Sequence, residues 1–226
     1  MGELDLKKIK QVPLSSGQYI DEEVKKVQIV LHHTAGNSSA PATIKMWDKD
    51  DRGKIATCIV ISGKGLSKDT FDGEICQAFG SKKWGYHLGL KQDIFRSKGV
   101  PYKSIDPIAI GIEICNWGPL KQKADGKYYN YVDREVSVDQ VCVLDKPYKG
   151  HLCYHTYTDA QIESLRQLVV YLCETYDIPK DYNESIWDID LDALKGNKGI
   201  FTHNSVRKDK SDMYPCPRVI EMLKNL

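Results

Sequence analysis

The sequence predicts a single α/β domain, and two kinds of pattern support that fold class. Three short apolar runs rich in β-branched residues are typical of strands buried inside a sheet: VQIVL (27–31), TCIVIS (57–62) and AIGIEICNWG (109–118). A fourth run, DGEICQAF (72–79), opens on the Asp-Gly of a turn and is predicted to pair antiparallel with the second. Helical patterns separate and follow these runs, and strands that alternate with helices indicate an α/β architecture.

The clearest helix is predicted to begin after Thr158, which can form a capping box with Gln161. One apolar stripe follows at helical spacing: Ile162, Leu165, Leu168, Val169 and Leu172. Pro179 is expected to end this helix, because proline cannot continue the hydrogen-bond ladder. A shorter helix is predicted over 40–52, where Pro41 suits the first turn.

The remaining segments define a simple domain organisation. We expect residues 1–26 to form an arm packed onto one catalytic domain that spans 27–226. Residues 119–157 are rich in Lys, Asp and Tyr with little periodicity, so they are predicted to be a long insertion with one hairpin. The tail from Gly199 onwards is predicted to be a polar loop followed by a short helix.

Composition excludes several classes of function. The formal net charge is +1 and the charges of both signs are interspersed, which argues against a nucleic-acid-binding surface. No segment approaches the roughly 20 apolar residues of a membrane span, so we expect no membrane insertion. The N-terminal stretch has no apolar core of a signal peptide, so synthesis and retention in the cytoplasm are expected. Seven scattered cysteines without a CxxC pair do not suggest a disulfide framework.

Two adjacent histidines at the end of the first strand form the first candidate site. Because side chains alternate along a strand, His32 and His33 must point to opposite faces, and only one can enter a given site. His203, Asp212 and Cys216 lie together in a late loop. One strand-end histidine, His203 and an Asp or Cys would supply the three protein ligands of a catalytic zinc site. The alternative is that these are ordinary surface histidines beside a charged loop.

A carboxylate inside an apolar strand is the second candidate. Glu113 interrupts the run 109–118, where burial is unfavourable for a charge unless it is paired or functional. It is therefore either a structural glutamate bound to an Arg or to backbone amides, or a general base whose pKa is tuned by burial. Trp84 and His87 lie between glycines in WGYHLG, and form either a packed aromatic loop or the wall of a substrate groove.

A third candidate is a Cys/His nucleophilic pair in CYH (153–155). Cys153 and His155 would share one face of an extended segment. Nothing nearby in the sequence would activate the thiol, so this pair is the weakest candidate.

Five motifs in order carry a resemblance to a known family. They are IVLHHTAG (29–36), DGEICQAF with WGYHLG (72–89), IGIEICNWG (110–118), YTDAQIESLRQLVVYL (157–172) and THNSVRKDKSDMYPCP (202–217). Together they resemble the zinc N-acetylmuramoyl-L-alanine amidases of the type-2 amidase superfamily, which includes bacterial amidases, phage endolysins and peptidoglycan recognition proteins. Each motif alone is weak, but five in the right order are specific.

The resemblance implies a role for each matching residue. The first histidine of the HHTAG-type motif, His32, is the implied zinc ligand, His203 the second and Asp212 the third. Some members place a Cys before Pro in the third position, so Cys216 is the alternative; Asp212 is favoured because Lys210, matching the catalytic lysine, stands two residues before it.

Two further positions bear on proton transfer. Glu113 matches the glutamate of the IGIE strand. Thr57 stands where some relatives carry a catalytic tyrosine, which shifts proton handling towards Glu113.

The resemblance also implies the fold and the reaction. It implies a central mixed β-sheet flanked by helices, with Zn²⁺ at one end of the sheet in an open groove. The expected partner is peptidoglycan, cleaved between N-acetylmuramic acid and the L-alanine of the peptide stem by a water that zinc activates. The alternative is a non-catalytic peptidoglycan-binding module of the same superfamily. We expect a monomer, and an enzyme that acts on the cell wall if it is a phage endolysin.

Overall fold

The computed structural model describes residues 4–36, 39–64 and 70–226. The first three residues of the predicted N-terminal arm therefore lie outside the described part of the chain. Two β-sheets and five α-helices form the described fold.

The larger sheet has six strands in the order β1-β4-β3-β5-β2-β11. Their bounds are β1 Lys10–Gln11, β2 Gln28–His33, β3 Ile59–Ile61, β4 Ile75–Gln77, β5 Ala109–Ile114 and β11 Gly199–Thr202. The strands β11, β2, β5 and β3 are parallel, and β4 pairs antiparallel with β3 as the sequence predicts. The sheet is thus mixed and central, and the predicted α/β class is confirmed.

The middle of this sheet is fully covered, which explains its continuous apolar sequence. All six residues of β2 are buried, and so are five of the six in β5. Strands covered by helices on both faces have no polar side to expose, so their sequences are apolar runs without alternation. Glu113 of β5 is the partly exposed exception, and it lies directly opposite His32 in the register of the two strands.

The helices follow their capping signals. They are α1 Ala40–Trp47, α2 Gln92–Ser97, α3 Asp159–Tyr176, α4 Leu191–Lys195 and α5 Pro217–Lys224. The capping box of α3 is present as predicted, and the helix ends at Asp177, which adopts a left-handed conformation before Pro179. Helix α1 stops at Trp47, five residues before the predicted end. Among the described residues, no helix is long and apolar enough to cross a membrane.

Residues 119–155 form a second sheet, where the sequence predicted one hairpin. Its five strands have the order β8-β7-β6-β10-β9. Their bounds are β6 Pro119–Gln122, β7 Tyr128–Tyr129, β8 Glu135–Val136, β9 Val141–Tyr148 and β10 His151–His155. A small separate core of Trp117, Leu120 and Val136 supports β6 and β8. Three of these strands, β6, β7 and β8, have only two to four residues, too few for the sequence to show a period.

The predicted loop at the start of the C-terminal tail is wrong over four residues. GIFT (199–202) is the buried strand β11, parallel to β2. Four apolar or small residues are too few to show a period, and only pairing with β2 makes this segment a strand. This pairing places the following residue, His203, at the edge of the sheet where β2 also ends.

Candidate metal centre

Three side chains converge at the carboxyl ends of β2 and β11. His32 lies in β2, His203 directly follows β11, and Asp212 lies in the loop before α5. The His32 Nδ1 lies 3.1 Å from His203 Nδ1 and 3.1 Å from Asp212 Oδ2, and the His203 Nδ1 lies 2.8 Å from the same oxygen. Parallel strands deliver their ends to one edge of a sheet, which is why residues 171 positions apart meet here.

The Nε2 atoms on the outer side of both rings have hydrogen-bond partners, so the Nδ1 lone pairs face the centre of the cluster. The His203 Nε2–H donates to the carbonyl oxygen of Leu88 at 2.9 Å, since a carbonyl can only accept. The His32 Nε2 lies 2.9 Å from the Nδ1 of His87, and an Nε2–H donated there leaves the His32 Nδ1 lone pair free. Metal-bound histidines are commonly oriented in this way by a partner on their second nitrogen.

The electrostatics of this cluster favour a neutral ring at His32 and an ionised carboxylate at Asp212. Burial, and then the neighbouring His203, lower the pKa of His32 to about 4. Burial alone would raise the pKa of Asp212, but the two histidines hold it well below its usual range. Two imidazole lone pairs and a carboxylate oxygen therefore face one point, which is the donor set that suits a zinc ion with its fourth position open.

His33 points to the opposite face, as strand alternation predicts. Its ring is buried and its Nδ1 lies 2.9 Å from the hydroxyl of Tyr157. The adjacent histidines thus belong to two different environments, one in the cluster and the other in the core.

Cys216 does not join the cluster. It is fully buried at the N-cap of α5, beside Cys142 and Tyr214. Among the described His, Cys, Asp and Glu side chains, it is Asp212 that completes the three-residue group with His32 and His203.

Glu113 lies on the same face of the sheet as His32, since the two residues are in register on parallel strands. Its Oε2 is enclosed and has no hydrogen-bond partner among the described residues, so the structural alternative of an Arg or amide partner does not hold for that oxygen. Burial, and then the charge of Asp212, raise the pKa of Glu113 well above its usual value, while the nearby Lys210 lowers it. Lys210 is half-buried and its charge also acts on His32.

A cleft of about 470 Å³ opens beside Glu113. Thr34, which follows β2, and Trp47 of α1 also line the cleft. Trp117 and Arg134 line it on the side of the second sheet. The volume is within the range of roughly 300–1,000 Å³ of small-molecule sites.

His87 and Trp84, which the sequence predicts as the wall of a substrate groove, lie in two different parts of the structure. His87 stands behind His32 and is held there over Gly111, where an added Cβ would approach the His87 Nδ1 to 3.0 Å. Trp84 packs against the N-terminal arm, where it pairs with Ile20 and its indole N–H donates to Glu22 at 3.4 Å. Sequence reasoning missed the role of Gly111, although a glycine inside an apolar strand is a signal of close approach.

Cys153 and His155 have structural surroundings that do not suit a nucleophilic pair. Both residues lie in β10, and the His155 Nδ1 accepts the backbone N–H of Trp117 at 3.4 Å. Burial raises the pKa of the Cys153 thiol, which disfavours the thiolate that a nucleophile needs.

This α/β fold carries a three-residue cluster that could hold a metal ion, and comparison with known proteins gives the family. The chain belongs to the N-acetylmuramoyl-L-alanine amidase family, whose profile matches residues 24–217. The comparison with curated proteins gave no match.

Solved structures share the fold at low sequence identity. The structure of PlyL is similar with a TM-score of 0.52 and 12% identity, covering 96% of each chain. The hydrolase AmiA of Staphylococcus aureus, solved with its ligand, has a TM-score of 0.53 and 13% identity, over 98% of this chain and 83% of that one. The catalytic domain of XlyA has a TM-score of 0.50 and 17% identity, over 96% of this chain and 97% of that one.

Proposed function

We propose that this chain is a zinc-dependent amidase that hydrolyses the bond between N-acetylmuramic acid and the L-alanine of the peptidoglycan stem. Family membership supports the substrate class. The observation that carries the metal-dependent reaction is the convergence of His32, His203 and Asp212 beside the unpartnered carboxylate of Glu113. A pre-formed donor set next to a free base at the end of a cleft is the arrangement that metal-assisted hydrolysis requires.

In this proposal His32, His203 and Asp212 hold the zinc ion. When bound, zinc supplies a Lewis acid that polarises the scissile carbonyl and lowers the pKa of water. His87 and the Leu88 carbonyl keep the two imidazoles oriented through the hydrogen bonds on their outer nitrogens.

Glu113 moves the proton. Its carboxylate takes a proton from the attacking water and returns it to the nitrogen of the leaving amine, so that the amide C–N bond breaks and a carboxylic acid and an amine form. A pKa raised by burial suits this role, because the group must hold the proton briefly near neutral pH. The Lys210 ammonium stabilises the negative charge that develops on the carbonyl oxygen, a contribution of roughly 3–4 kcal/mol per donor.

The test is Glu113→Gln, which keeps the size of the side chain but cannot accept a proton. We expect turnover on purified peptidoglycan to fall about 10²- to 10⁴-fold, while zinc content and melting temperature persist. Glu221→Gln, on the exposed side of α5, is the matched control and should keep wild-type activity.

Four outcomes would contradict the proposal. Unfolding of the Glu113→Gln variant would show that Glu113 is structural, and normal cleavage would show that another group is the base. If the wild type binds peptidoglycan with zinc present yet releases no L-alanine amino groups, the chain is a binding module. Loss of activity on thiol alkylation but not on chelation would indicate a Cys-dependent hydrolase.

A further inference from the structure

The far wall of the cleft belongs to the second sheet and not to the domain core. The turn between β7 and β8 contributes Tyr131, Val132 and Arg134 to the lining, across from Met46 and Trp47 of α1. Tyr131 and Val132 are 63% and 56% exposed, so this apolar wall is open to solvent. Glu113 lines the same cleft.

The turn that carries this wall is internally braced. Asn130 is buried, and its side-chain Oδ1 accepts the backbone N–H groups of Val132 at 3.1 Å and Arg134 at 2.9 Å. The Asp133 N–H donates to the Asn130 carbonyl at 3.1 Å. A turn closed by three such bonds presents its side chains at a defined place instead of sampling many.

The charge of Arg134 is left available to the cleft. Its two flanking carboxylates are taken by lysines: Asp133 pairs with Lys123 at 3.0 Å, and Glu135 pairs with Lys127 at 2.8 Å. Within the described ranges, no carboxylate oxygen lies within 4.0 Å of the Arg134 guanidinium.

An aromatic ring lies beside this charge. The guanidinium carbon lies 6.0 Å from the centre of the Trp117 ring, whose edge meets Tyr131. Arginine held against an aromatic face keeps its planar fork of donors free for a carboxylate.

We propose that Arg134 is a specificity-determining residue that binds a free carboxylate on the peptide arm of the substrate, with Trp117 and Tyr131 packing beside that arm. The inference rests on the proposed function, since Glu113, the proposed base, lines this cleft and so brings the scissile amide to it. Among the described residues that line the cleft, Arg134 is the one cation. The carboxylates of a muropeptide lie on its peptide, whereas its sugars are neutral, so a cation here selects for the peptide and for its free acid form.

The experiment compares two muramyl peptides that differ only in charge: one with free carboxylates and one with the same groups converted to carboxamides. In the full-length zinc-loaded protein, Arg134→Gln should lower kcat/KM on the acid about 10- to 100-fold, mainly through KM, and change it little on the carboxamide. Arg134→Lys should restore part of the loss, since it keeps the charge without the fork. Lys121→Gln removes an exposed charge from β6 of the same sheet and should match the wild type on both peptides.

Two other outcomes decide against the inference. An equal loss on both peptides would mean that Arg134 only shapes the wall or contacts sugar, and no loss on either would mean that it does not touch substrate. If the wild type cleaves neither peptide, the proposed function fails. Calorimetric binding of the same two peptides then tests Arg134 separately, because the carboxylate preference and its loss in Arg134→Gln require no turnover.

Discussion

His32 and His33 show how much one residue of strand register decides. Both are buried neighbours in β2, yet one ring faces His203 and Asp212 while the other faces Tyr157. The alternation of side chains along a strand is the whole cause of this difference.

The first prediction at this scale is that His32→Ala removes zinc and activity, because it deletes one of three converging donors. His33→Ala should keep one zinc per chain, although losing the contact with Tyr157 should lower the melting temperature. Metal content by mass spectrometry on the purified variants measures both. An empty site in His33→Ala with the fold intact would mean that the assignment of faces is wrong.

A second residue-scale prediction concerns the third ligand. Asp212→Ala should lose zinc, since its Oδ2 is the donor within reach of both histidines. Cys216→Ser should retain zinc, because the thiol is enclosed beside Cys142 and Tyr214. Zinc titration of the two variants distinguishes them, and the reverse pattern would assign the site to Cys216 and leave Lys210 without a placed role.

At the scale of the element, the entry to β2 contains a buried charge that the sequence did not reveal. Lys26 is fully buried just before the strand, and its Nζ donates to the carbonyl oxygen of Pro107 at 2.6 Å. Burial lowers the pKa of Lys26 to about 8, from 10.5 in the unfolded chain. This lysine packs in the interior like an apolar residue, but its contribution to stability depends on pH.

That dependence can be measured against Lys26→Met. The folded pKa is the lower one, so between pH 8 and 10.5 the unfolded chain holds the extra proton and the stability contribution of Lys26 rises with pH. Below pH 8 both states are protonated and the full penalty of burying the charge applies. Relative to Lys26→Met, the free energy of unfolding of the wild type should increase by up to about 3 kcal/mol across this window. The free energies of unfolding of wild type and Lys26→Met can be measured by urea unfolding. If they change with pH in the same way between pH 8 and 10.5, Lys26 does not titrate in this window.

At the scale of the whole molecule, the metal cluster joins segments that are far apart in the chain. His32 belongs to β2, which lies next to the edge strand β11; His203 follows β11, and Asp212 lies in the loop that leads to α5. An ion bound by all three would tie the C-terminal segment to strands β2 and β11 of the sheet, so binding should stabilise the fold and not only the site.

We therefore expect zinc to raise the melting temperature of chelator-treated protein. At a free concentration about 100 times the Kd, the gain is about 2.7 kcal/mol, which corresponds to roughly 5–10 °C for a domain of this size. Differential scanning calorimetry with and without zinc measures the shift. The His32→Ala variant is the control, and an equal shift in that variant would mean that zinc stabilises the protein from another place.

Local patterns in the sequence determined the parts of this protein that depend on near neighbours. The buried runs of β2, β3 and β5 and the capped stripe of α3 were predictable, because burial on two faces and helical periodicity leave marks within a few residues. The same local logic separated His32 from His33 and identified Glu113 as a carboxylate out of place in its strand. The ordered motifs indicated the family.

Only the tertiary structure decided what depends on distant segments meeting. Asp212, which the motif favours over Cys216, reaches His32 because its loop packs against the end of β2 across 180 positions of the chain. His87 stands behind His32 only because β5 offers Gly111 at that point, β11 is a strand only beside β2, and Arg134 lines the cleft only because the second sheet stands next to α1. In each case the contact depends on packing between elements that are distant in the chain, and local sequence patterns carry no information on the energy of that packing.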